Sequence, residues 1–169
     1  MKLNARSIAL CAVLTALALG LSTLENLFPV TLIVPLPGVK LGLANIVTVF
    51  ALYELGAVPA LTILAARCLL GGLFAGNLSA LLFSLLGGFT AMLVMIALHA
   101  LPRLSVYGVS VGGAAAHNCG QIAAAMLTLG SAAPLAYLPF LLLVSVFTGA
   151  LTGFVATLLF RAMRHARAK

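Results

Sequence analysis

Pro35-Leu-Pro-Gly-Val-Lys-Leu-Gly-Leu-Ala-Asn-Ile-Val-Thr-Val-Phe-Ala-Leu-Tyr-Glu-Leu-Gly56 is the stretch on which the reading of this chain turns. It begins as a loop punctuated by Pro35, Pro37 and Gly38, carries one cation at Lys40, and becomes an apolar helix that opens with small residues. Two prolines and a glycine cannot continue a helix, so the loop must lie outside hydrocarbon or be covered by protein. The expectation is a small polytopic membrane protein in which residues 30–40 form a flap over a binding site at one face.

The composition around this stretch leaves little room for a soluble reading. Hydrophobic residues make up 64% of the chain and charged residues 7%, against about 25% charge in soluble domains. Mean hydropathy is +1.27. A membrane span takes about 20 apolar residues, so 169 residues with short connections make about six spans in one domain. Breaks at Pro29 to Pro37, Gly56 to Pro59, Gly76-Asn77, Leu101 to Gly108 and Gly130 to Pro134 place them near 8–28, 41–56, 58–75, 79–101, 109–130 and 135–163. The fold class expected is all-α and integral to the cell membrane. The first apolar run resembles a secretory signal at Lys2, Arg6 and Ala16-Leu-Ala18, but it continues to about Phe28 and reads as a retained span.

Charge placement sets the expected orientation. With both termini cytoplasmic, Lys2, Arg6, Arg103, Arg161, Arg164, Arg167 and Lys169 lie inside, Lys40 alone lies outside, and Arg67 falls within a span. That distribution follows the positive-inside rule and puts the Pro/Gly loop on the exterior. The net charge of +7 is therefore topological. Cations this sparse and this confined to span ends argue against nucleic acid as a partner, and the basic end from Arg161 to Lys169 sits naturally against anionic lipid headgroups. Cys11, Cys68 and Cys119 lie in apolar segments at unrelated spacings and read as small buried hydrophobes, with no metal or redox pattern.

Polar residues inside the spans are the candidates for function. Arg67 lies near the middle of the third span, where a charge costs about 2.5–3.5 kcal/mol, and no acidic residue shares that span. Either it awaits an anionic or carbonyl-rich ligand in a polar cavity, or it snorkels to water or bonds helix-end carbonyls. His117, Asn118 and Gln121 form a cluster in an Ala/Gly-rich fifth span, with 117 and 121 on one helix face. They read as ligand contacts or as interhelical hydrogen bonds. Glu25-Asn26, Asn45 and Asn77 fall at the same outer depth as Lys40, as polar anchors under a loop would. Small residues at Ala5, Ala9, Ala12, Ala16 and Gly20, and again at Gly149 and Gly153, make stripes along which helices approach closely, within the chain or from a partner subunit.

Pro37-Gly-Val-Lys-Leu-Gly-Leu-Ala-Asn-Ile-Val47, followed by Ala51-Leu-Tyr-Glu-Leu-Gly56, resembles the signature of the Gx transporter family, whose members are often labelled heptaprenyl diphosphate synthase component I. The likeness extends to Arg67-Cys-Leu-Leu-Gly-Gly72 and to Ser84-Leu-Leu-Gly-Gly88. That family is similar in size, span count and outer loop to the substrate-binding components of energy-coupling-factor (ECF) vitamin importers. The resemblance implies a six-helix protein that captures a small solute outside and works with a coupling transmembrane subunit and two cytoplasmic ATPases. In such importers an alanine motif on the first helix docks the coupling subunit, and Ala12 and Ala16 are the matching positions here.

The expected function is thus capture of a small anionic or carbonyl-bearing solute, vitamin-like or a quinone or isoprenoid precursor, through Lys40, Asn45, Arg67, Asn77, His117, Asn118 and Gln121. No cofactor is expected. The alternative is a non-catalytic accessory role in polyprenyl diphosphate or quinone biosynthesis. Catalysis by the chain itself is not expected: prenyl diphosphate synthesis holds Mg²⁺ through clustered carboxylates, and the chain has no Asp and only two Glu, at opposite ends of the spans. It has no Walker motif either, so ATP hydrolysis would belong to partners.

Overall fold

The computed structural model of the chain describes residues 5–26 and 42–167; Lys40 and the 30–40 flap lie outside them. The described residues form six α-helices and no strand. They are α1 (Ala5–Asn26), α2 (Asn45–Leu55), α3 (Ala57–Ala75), α4 (Leu78–His99), α5 (Val106–Leu129) and α6 (Leu138–Arg167), with a 3₁₀ turn over Ala133–Tyr137. The breaks fall where glycine and asparagine end or start helices. Gly56 at φ 92° closes α2, its N–H reaching the carbonyls of Ala51 and Leu52. Gly76 caps α3 in the left-handed region, and Asn77 then caps α4, its side chain accepting from the N–H groups of Ser79 and Ala80.

Four helices are long and apolar enough to cross a membrane: Ser7–Glu25, Ala57–Ala75, Leu78–His99 and Ala133–His165. This is the pattern of a multi-pass membrane protein, with Phe74 78% exposed and Leu73 74% exposed on the outside of the bundle. Two of the six expected spans differ. The second has only 11 helical residues, about 17 Å at 1.5 Å per residue, because Gly42 and the turn at 43–44 take the first part of that segment. The fifth has 24 residues, enough length, but its glycines and its His, Asn and Gln keep it below the apolar threshold. Its position explains that composition. It packs along both α4 and α6, so much of its surface meets protein.

Glycine makes that packing possible. A Cβ on Gly120 would lie 2.4 Å from the Leu86 carbonyl oxygen, and one on Gly149 would lie 2.5 Å from the Val111 Cα. Thr90 Oγ1 spans the first contact, 3.0 Å from the Ala116 carbonyl of α5. The stripe at Gly149 and Gly153 is therefore spent inside the chain, against Val111 and Tyr107 of α5. The alanine stripe on α1 is not: Ala9, Ala12, Ala16 and Gly20 are exposed, while Leu14, Thr15 and Ala18 face the core.

Successive helices run antiparallel. Gly120 meets Leu86 and Gly112 meets Leu98 across the α4–α5 hairpin, and Gly149 meets Val111 while Gly153 meets Tyr107 across α5–α6. Glu25, Gly42, Asn77 and Gly130 thus fall toward one end. Toward the other lie Glu54, Arg103, Arg161 and Arg164, near an aromatic group in which Tyr53 meets His99 at 4.2 Å and Phe50 stacks on Phe160 at 5.7 Å. The cysteines divide: Cys68 is buried, Cys11 is half-buried and Cys119 is exposed. Burial was expected of all three, and Cys119 departs from it because α5 turns that position away from α4 and α6.

Gly120→Ala and Gly149→Ala each force a side chain into backbone, so each is expected to cost about 1–3 kcal/mol of stability. Gly20→Ala, which meets nothing within 4 Å, is expected to change stability by less than about 0.5 kcal/mol. Thermal unfolding in detergent micelles checks all three.

Candidate functional site

The α2–α3 hairpin sets the site. Asn45 and Arg67 lie at equal distances along the chain from Gly56, one on each arm, so the turn brings them face to face. Arg67 Nη2 donates to Asn45 Oδ1 at 3.3 Å, and both residues are buried. The backbone of Gly88 on α4 lies beside the guanidinium: a Cβ there would be 3.6 Å from Nη2. The Nε of Arg67 is buried and has no hydrogen-bond partner among the described residues. An orphaned donor on a buried cation is costly.

From Asn45 the contacts run to the end of α1. Gly42, at φ 84°, starts the turn into α2, and its carbonyl accepts from Asn45 N–H at 2.9 Å. Its own N–H donates to Glu25 Oε1, and Glu25 is 3% exposed. A side chain on Gly42 would meet the Asn45 amide at 3.0 Å and the His117 ring at 3.6 Å. That crowding, together with the positive φ, makes glycine the fitting residue. His117 and Gln121 reach the same region from α5. A Cβ on Gly87 would lie 2.9 Å from His117 Cε1 and 3.1 Å from Gln121 Cγ. Side chains from α1, α2, α3 and α5 therefore converge beside the turn at Gly42, with Gly42, Gly87 and Gly88 making room for them.

The expected residues separate into three groups. Asn45, Arg67, His117 and Gln121 are brought together. Asn118, on a neighbouring face of α5, donates to the Leu141 carbonyl at 2.7 Å and ties α5 to α6. Asn77 sits exposed at the head of α4 as its cap, away from the cluster. Lys40 lies outside the described residues. Glu25 enters the cluster as its carboxylate, although sequence reasoning had noted it only as one outer polar residue among several. Its signal was burial at a helix end, which a single sequence does not show. The glycines at 42, 87 and 88 carried a signal in their pairing, since Gly-Gly beside a cluster of large polar groups marks close approach.

Arg67 also borders open space. A cleft of about 420 Å³ lies between α1, α3 and α4, with Leu19, Gly20, Ser22 and Thr23 on one wall, Arg67, Cys68, Gly71 and Phe74 on another, and Ala80 and Ser84 on the third. Cys68 Sγ donates to the Ser84 carbonyl at 3.3 Å across it. Chemically, the cluster offers one guanidinium, two amides, an imidazole and one carboxylate. That is a set for recognising anionic or carbonyl oxygens.

A protein-family model described as heptaprenyl diphosphate synthase component I matches residues 14–159. The chain belongs to that family. The matched part of the chain contains every residue of the cluster, from Glu25 to Gln121, and leaves out the basic end beyond residue 159. No curated protein and no solved structure matches the chain.

Asn45→Ala is expected to lower stability by about 1.5–3 kcal/mol, because it removes a hydrogen bond to a buried charged group. Arg67→Met, which removes the charge at similar volume, is expected to leave stability unchanged or raise it. Thermal unfolding of the two variants beside the wild type decides. A large loss in Arg67→Met would mean that the guanidinium is a structural strut.

Proposed function

We propose that this component I protein is a substrate-capture subunit of an ECF-type importer, taking up a small anionic or carbonyl-bearing solute, vitamin-like or a quinone or isoprenoid precursor. In this reading six helices cross the cell membrane with both termini cytoplasmic, and the Pro/Gly loop closes the site from outside. The observation that carries it is Arg67: a buried cation at the meeting point of four helices, held by Asn45 and retaining a donor with no partner among the described residues. Natural cores do not keep such a group without a use, since an intramembrane ionisable residue facing inward marks a ligand or ion path. Asn45, Gln121 and His117 would orient the solute, with Glu25 holding the loop's return at Gly42 and Lys40 meeting the ligand from the flap. Short α2 fits this picture, because irregular backbone at membrane depth is tolerated where it lines a cavity.

Partner use is part of the proposal. The exposed Ala12 and Ala16 on α1 offer a low face along which a coupling transmembrane helix could approach, and cytoplasmic ATPases would supply the energy. The family description favours a second reading, in which the chain is a non-catalytic membrane component serving a soluble prenyl diphosphate synthase. In both readings the chain is not itself an enzyme. One carboxylate in the cluster, and no Asp in the chain, would not assemble a Mg²⁺–diphosphate site. Co-purification separates the two: a coupling subunit with ATPases supports import, and a prenyl synthase without them supports the accessory role.

Uptake by cells expressing the wild type or Arg67→Ala, measured over a panel of carboxylated and phosphorylated vitamins and quinone precursors, tests the capture reading. The expected result is at least a tenfold loss of accumulation for the solute that the wild type takes up. Equal uptake by both proteins would remove Arg67 from the site.

A further inference from the structure

The cleft between α1, α3 and α4 is not needed to explain the central cluster, yet it shares the same cation. Three features define what it could hold. First, Arg67 is 7% exposed, lines the cleft, and has its Nε without a partner among the described residues; none of the other described lining residues is charged. Second, the walls away from Arg67 are apolar or carry small hydroxyls, with Leu19, Gly71 and Phe74 along the length. Third, the cleft opens sideways. Helices α1 and α4 scarcely touch, each packing instead on α3, and the rim residues Gly20, Thr23, Phe74 and Ala75 are exposed. All three walls belong to helices apolar enough to cross a membrane, so this opening meets lipid.

We infer that this lateral cleft binds a single-chain amphiphile with an acidic head, the head on Arg67 and the apolar chain lying between α1 and α3 toward the bilayer. The charges are complementary: a lone guanidinium in an oily cleft is stabilised by an anion that brings its own apolar body and needs no water channel. At about 420 Å³ the cleft is near the small end of ligand sites, room for one chain rather than two. The inference rests on the capture reading for the importance of Arg67, but it assigns a different route and a different ligand class.

Native mass spectrometry of the full-length protein, released from nonionic micelles after incubation with dodecyl phosphate or dodecanol, tests it. The expected result is one dodecyl phosphate per chain and no retained dodecanol. Arg67→Gln should reduce the bound fraction at least tenfold. So should Gly71→Trp, which fills the cleft and leaves Arg67 in place, and Ala75→Trp at the rim repeats that test with less demand on packing. Leu127→Trp, on the far side of α5, should bind as the wild type does. An excess of phosphatidylglycerol should leave the bound dodecyl phosphate in place; displacement would mean that a two-chain bilayer lipid fills the cleft and would overturn the single-chain assignment. Equal retention of dodecanol, or no binding at all, overturns the proposal. Binding that is lost in Arg67→Gln but kept in both tryptophan variants also overturns it, while leaving the capture reading intact, because the anion would then reach Arg67 from the central cluster.

Discussion

A guanidinium buried among apolar helices, with one amide oxygen as its hydrogen-bond partner among the described residues, is the constraint around which this structure is arranged. A buried charge is costly unless it is paired and hydrogen-bonded, and the chain contains only two acidic residues. Glu54 lies toward the far end of the helices. Glu25 is at the near end but is engaged with the N–H of Gly42. The protein therefore meets Arg67 with a carbonyl dipole from Asn45, which orients the guanidinium without neutralising it. What remains is a positive site with unspent donor capacity, and both proposals made for the chain follow from that residue of charge.

The helices around Arg67 are built to tolerate it. Backbone at Gly87 and Gly88 lets α4 pass close to the imidazole of His117 and to the guanidinium. Close contacts at Gly120 and Gly149 draw α4, α5 and α6 into a tight block. That block holds the polar face of α5 rigid, with Asn118 pinned to the Leu141 carbonyl. By contrast α1 packs more loosely, and its outward face is a row of small side chains. Rigid and loose halves meet at α3, where Arg67 sits. An element that must yield to admit a ligand or a partner is expected at such a boundary.

Much of the helical layout could be read from the chain, because Gly56, Gly76-Asn77 and Gly130 are strong punctuation and the apolar runs between them are long. Arg67 was legible for the same reason: a charge in a run such as Leu61 to Phe74 stands out, whether it serves a ligand or snorkels. Pairing was harder. Nothing local distinguishes Asn45, which faces Arg67 across the hairpin, from Asn77, which caps a helix, since the difference lies in a tertiary contact. Likewise His117, Asn118 and Gln121 look alike in sequence, yet one turn of α5 sends Asn118 toward α6 and the other two toward α4. The spans at α2 and α5 were harder to read, because one is short and the other is rich in glycine and polar residues.

The central claim is that Arg67 faces a hollow accessible from the end of the protein opposite its termini. Accessibility of a cysteine at that position is the most direct measurement. In a cysteine-free background, Arg67→Cys in intact cells should react with a charged, membrane-impermeant methanethiosulfonate added outside. Reaction confined to inside-out vesicles, or no reaction from either side, would contradict the account and leave the guanidinium without a site to serve.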